Sequence, residues 1–151
     1  MMNPVSEIQT MIAALLTAQP WFANHRVEII EQNKADLKFL LEKQVSALRG
    51  VVLVVGCDSM TNQFPNLEMG ITVTAVEYVP LNRAGGDWVS AIDAVQAAIE
   101  VIDGEWWHFD SMHHETPVDR TLQATATFRG CVKREPHAEI GVDENNEGDN
   151  L

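Results

Sequence analysis

Four residues in one short stretch have side chains that bind metals or carry protons: His108, Asp110, His113 and His114. In an extended strand successive side chains alternate faces, so 108 and 110 share one side, and 114 joins them if the strand continues. A catalytic zinc needs three protein ligands, each oriented by a further hydrogen-bond partner. Here no His-x-x-x-His pair at helical spacing and no neighbouring cysteine completes the set. Solvent-facing hairpin histidines are the simpler reading, and no metal is expected. Gly56-Cys57-Asp58-Ser59 follows an apolar run, as a nucleophile elbow would. The elbow chemistry requires Gly-x-Ser-x-Gly and an immediate helix, and both the second glycine and the helix are missing. Cys57 therefore reads as a thiol at a strand end, with a nucleophilic role as the competing possibility.

Gly85-Gly86-Asp87 opens a helix-like stretch, and a helix N-terminus can hold an anion. Neither the Gly-x-Gly-x-x-Gly pattern nor the lysine of a phosphate-binding loop is present, so this is a hinge and a cap. Glu68 and Glu77 read as ordinary carboxylates on a wet strand face. The pair Trp106-Trp107 is more informative. On a strand one of the two enters the core and the other faces outward, and an outward Trp on an acidic chain marks a contact surface. The expectation from these residues is a protein without catalysis or cofactor, working through its surfaces.

Composition narrows the partners. The 151 residues carry 22 acidic and 10 basic side chains, a formal net charge of −12. That excludes specific nucleic-acid binding, which needs clustered Lys and Arg, and disfavours an anionic membrane surface. Six of the acids lie in residues 135–151, which contain no Lys or Arg. That stretch reads as a disordered acidic tail behind a single domain over residues 1–134. Cys57 and Cys131 read as two buried thiols rather than a disulfide framework. The apolar run at 11–16 lacks the basic flank of a signal peptide, and no stretch approaches a membrane span.

The elements that must position these residues follow from periodicity. Asn3-Pro4 starts a helix whose apolar stripe is Val5, Ile8, Ile12, Leu15 and Leu16. Residues 27–30 form a short strand. Asn33 and Asp36 cap a second helix with the stripe Leu37, Leu40, Leu41, Val45 and Leu48, ending at Gly50. Residues 51–55 are apolar at every position, so both faces of that strand are covered. Residues 56–65 read as a polar loop and 67–79 as an alternating, Thr-rich strand. Residues 80–86 are a flexible connection, and Asp87 caps a third helix with the seam Trp88, Ile92, Val95, Ile99 and Ile102. Strands from Trp106 and from Thr121 close the chain as a hairpin around a turn at 112–119. The fold class is α+β: a mixed, mostly antiparallel sheet of four to five strands with about three helices on one face.

This order resembles the tail terminator (tail completion) proteins of long-tailed bacteriophages. The resemblance runs over about residues 3–133 and rests on Ala47-Leu-Arg-Gly-Val-Val-Leu-Val-Val55, on the strand–helix passage at 71–102, and on the closing strand at 120–133. It implies a virion protein assembled in the host cytoplasm, forming a ring, usually a hexamer. Such a ring caps the tail tube, stops its polymerisation and presents a surface to a head-completion or connector protein, while DNA passes through unbound. It also places ring contacts at sheet edges and adjoining loops, here the segments 56–65, 80–86 and 112–119. The residues expected at subunit or partner contacts are Trp106, Trp107, Arg83, Asp58, Asn62, His113 and His114. Lys34, Lys38, Lys43 and Arg49 on the second helix oppose Asp93, Glu100 and Asp103 on the third. The competing readings are another neck, head-closure or baseplate subunit, a small enzyme using Cys57 or the histidines, and an acidic adaptor acting through its tail.

Overall fold

The computed structural model describes residues 4–32, 38 and 40–133. The expected caps at Asn3 and Asn33, the residues Lys34 and Leu37, and the acidic tail lie outside the described residues. Five strands form: β1 (Val27–Glu31), β2 (Val51–Gln63), β3 (Asn66–Tyr78), β4 (Trp107–Glu115) and β5 (Thr121–Lys133). Their spatial order is β1-β2-β3-β5-β4. β1 is parallel to β2 and every other pairing is antiparallel. Among the described residues the complete α-helices are α1 (Pro4–Thr17), α2 (Pro20–Asn24), α3 (Val79–Asn82) and α4 (Ala91–Ile102). The expected α+β class with a mixed five-stranded sheet is what the chain adopts.

One sheet face is apolar because strand alternation puts Leu53, Val55, Ile71, Val73, Ala75, Ala124, Ala126 and Phe128 on the same side. α1 lays Ile8, Ile12 and Leu16 on it, α2 adds Phe22, and α4 adds Ala94, Val95, Ala98 and Ile102. Each large side chain sealed there contributes roughly 1.5–3 kcal/mol. The helical spacing in α1 thus reads correctly, except that Leu15 stays exposed. α4 begins one turn later than expected. Ser90, not Asp87, is its cap: Ser90 Oγ accepts from Asp93 N, and Asp93 Oδ2 accepts from Ser90 N.

The expected second helix departs from its prediction in form and in place. Lys38 is helical as expected, and a π-helical turn at Leu40–Gln44 and a 3₁₀ turn at Val45–Ala47 follow it. Leu40 and Val45 pack with Val76 on the opposite sheet face from α1 and α4. Parallel pairing of β1 and β2 is the reason, since the chain must cross back over one face between them. α1, α2 and α4 already fill the other. Val52 and Val54 are buried too, so residues 51–55 are buried on both faces as expected.

Two loops become regular structure. Residues 56–63 continue β2, bulged at Asp58, and pair with β3 out to Gln63↔Asn66. Only Phe64 and Pro65, joined by a cis peptide, form the turn. This polar sequence predicts a loop, but the long β3 supplies a partner for every residue of Ser59–Gln63. Gly70 fits this register because a Cβ there would collide with Asp58 and Ser59 at the bulge. The connection after β3 opens with α3. β4 extends through His114 to Glu115, so the turn after it is shorter than expected.

Candidate functional surfaces

The far end of the sheet differs from the rest. β1 reaches only to Glu31↔Val55, so no described strand pairs with the outer side of β2 at residues 58–63. β2, β3 and the end of β5 continue there as an arm. Residues 58–66 are exposed throughout, and the tip carries Phe64 at 77% exposure with Met60 nearby. Asp58 and Asn62, expected in a loop, sit on this arm. Phe64 and Met60 were missed. The available signal was a Phe-Pro pair inside a stretch without charge.

On the helix side of the same end lies an apolar groove of about 770 Å³. Met11 and Leu15 of α1, Val101 of α4, Trp106, Trp107 and Val132 line it. The tryptophan pair splits as predicted: Trp107 is 5% exposed and Trp106 is 72% exposed. Gly130 makes the inward position possible, because a Cβ there would collide with the Trp107 ring. Asp103 and Glu105 stand on the groove's rim, and Asp103 also accepts a hydrogen bond from the Phe109 backbone N–H. Met11 and Leu15 were not expected at a surface. The exposed face of an otherwise well-striped helix is what sequence periodicity cannot flag.

Arg83 has a role inside the fold. Glu77, read as a wet-face carboxylate, is 0% exposed. Its Oε1 takes the Arg83 guanidinium at 2.7 Å, and its Oε2 accepts from Asn82 Nδ2 at 3.0 Å and Ala91 N at 2.7 Å. The carboxylate thus satisfies the first helical N–H of α4 and ties α3 to that helix, a favourable place for a negative charge. Arg83 also stacks on Trp88, 4.4 Å from the ring centroid. Glu77 lies at an odd, core-facing position of β3, and only the chain's return through α3 gives it a cation there.

The histidines do not assemble a metal site. The bulge between Phe109 and Ser111 takes Asp110 out of register. His108 and His113 then share the side of Arg129 and Thr125, while His114 falls on the opposite side, across from Ala124. The expected grouping of 108, 110 and 114 is therefore broken. Asp110 instead approaches Arg129 at 3.9 Å. Among the described residues no group of three His, Cys, Asp or Glu is placed to hold a metal.

Cys57 is half-buried and Cys131 exposed, so the expectation of two buried thiols fails for Cys131. Burial pushes the Cys57 thiol up from its ordinary value, and the Asp58 carboxylate adds to this against a backbone hydrogen bond with Ser59 that lowers it. A raised thiol is a poor nucleophile at neutral pH. The paired charges also part company. Lys38 and Lys43 are exposed on the crossing segment, whereas Asp93 and Glu100 line a second groove with Trp21 and His25 on α4's side. Crossing segment and α4 lie on opposite sheet faces, so these charges meet only between molecules.

No described helix is long and apolar enough to cross a membrane. No protein-family model matches the chain, and no curated protein is similar to it. Two solved structures from Akkermansia muciniphila show a distant likeness. One, of a protein without its transmembrane region, has 11% identity and a TM-score of 0.38 over 88% of this chain and 85% of that chain. The other has 12% identity and a TM-score of 0.40 over 88% of this chain and 77% of that one. At such TM-scores the likeness bears on no function.

Proposed function

We propose that this chain is a structural virion subunit that assembles into a ring, usually a hexamer, at the end of a phage tail tube. There it ends tube polymerisation and joins the tail to a head-side connector. The observation that carries this reading is the projecting β2–β3 arm, with Met60 and Phe64 exposed, beside the exposed Trp106 groove. A ring needs two unlike patches on one subunit, and a projecting apolar tip and an apolar groove are two such patches. The element order shared with tail terminator proteins supports the tail-end position. The net charge of −12 supports passage of DNA without adhesion, because an acidic wall repels phosphate. None of this requires a cofactor or a reaction.

The test is the mass of the full chain by light scattering, alone and with assembled tail tubes. A closed ring, or a monomer that becomes a ring on tube ends, is the expected result. A monomer indifferent to tubes would overturn it. A ring that binds a connector but not tubes would move the protein to the neck.

A further inference from the structure

Charge is spread along this chain with two long gaps. The longest runs without Asp, Glu, Lys or Arg are residues 8–25 and 59–67. The next longest, 50–57, 69–76 and 121–128, belong to the central strands β2, β3 and β5, where charge is excluded by burial. The two longest do not have that explanation throughout. Run 8–25 exposes Met11 at 50% and Leu15 at 41%, and run 59–67 exposes Met60 and Phe64. One of these surfaces is concave, the α1 wall of the Trp106 groove, and the other is convex, the tip of the β2–β3 arm.

We infer that the arm tip of one subunit, led by Phe64, seats in the groove between α1 and Trp106 of the next subunit. This rests on the ring reading and names its contact. Copies of a chain with net charge −12 repel one another, so contact is favoured where both surfaces lack charge. The arm tip and the α1 wall of the groove meet that condition, charge in the groove being limited to Asp103 and Glu105, and each surface offers large exposed apolar side chains to the other. The rim acids Asp103 and Glu105 disfavour the chain's own acidic segment 135–151 as the occupant, whereas a neutral tip meets no repulsion there. Concave and convex patches on one chain make a heterologous contact, which propagates around a ring instead of closing as a dimer.

The experiment is disulfide trapping in the full chain. Met11→Cys and Phe64→Cys are introduced together with Cys57→Ser and Cys131→Ser, and the protein is oxidised alone and on assembled tail tubes. The expected result is a ladder of covalent multimers up to the ring, each junction a single 11–64 bridge by peptide mass mapping. Phe64→Asp in the natural chain should disperse the ring while leaving the melting temperature of the subunit unchanged. A bridge confined to one chain, or dimers closed by two bridges, would overturn the contact. A ring seen by light scattering but without 11–64 bridges would overturn it too, leaving the ring reading intact. No ring in either condition would sink both. Bridging to the tube protein in place of a second copy would reassign the groove to that partner.

Discussion

The two ends of the sheet are built from the same strands and do opposite things. At one end β1 to β5 are backed by α1, α2 and α4, and Val51, Leu53, Ala75, Ala124 and Glu77 are essentially without exposure. At the other, β2 and β3 run on past β1 as an arm whose residues 58–66 are all exposed. The ladder of hydrogen bonds continues unbroken between β2 and β3 except at the bulge. Secondary structure therefore does not distinguish the ends; the presence of a covering layer does. Stability is concentrated in the first end, and the second is free to carry contacts that cost the subunit little to change.

Substitutions should separate the two ends on a graded scale. Phe128→Ala, at the centre of the covered end, should destabilise the subunit by about 3–5 kcal/mol through lost contact and a cavity, read as a shift in urea midpoint. Glu77→Ala should cost about 3 kcal/mol because Ala91 N–H, Asn82 and Arg83 lose their acceptor together. If Glu77→Ala melts like the natural protein, the buried carboxylate is not holding α3 to α4. Ser90→Ala removes the cap of α4 and should cost about 1 kcal/mol. Phe64→Ser on the arm should stay within about 0.5 kcal/mol in subunit stability, so a large loss there would erase the distinction between the ends.

The smallest expected effect is chemical. Cys131 should react with iodoacetamide faster than Cys57 at neutral pH, since only the thiolate attacks and the Cys57 thiol is raised by burial and Asp58. Raising the pH should narrow the gap as Cys57 ionises. Peptide mass mapping of a timed reaction reads both sites; a faster Cys57 would revive it as a nucleophile.

Much of the covered end was legible in sequence. The stripe Ile8, Ile12, Leu16 and the run at 51–55 announce their layers because burial imposes periods of 3.6 and of 2, or no polar residue at all. The Trp106-Trp107 split followed from strand alternation alone. The arm was not legible, because a polar segment such as Asp58–Gln63 becomes a strand only when β3 is long enough to pair with it. The histidine grouping failed for a related reason: one bulge at Asp110 reverses the face of every later residue in β4. Glu77 was misread because its partners Asn82, Arg83 and the start of α4 reach it only through the fold of the following loop.

By itself the sequence determined the class of fold, the strands and helices of the core, and a strongly acidic charge balance. These depend on local period and composition, which each segment carries with it. Tertiary structure alone decided which face the crossing segment covers, how far β2 and β3 run on past β1, and that Met11, Leu15 and Trp106 join in one groove. Those outcomes depend on strand order and on the parallel β1–β2 pairing, relations between distant segments that no single stretch of residues encodes.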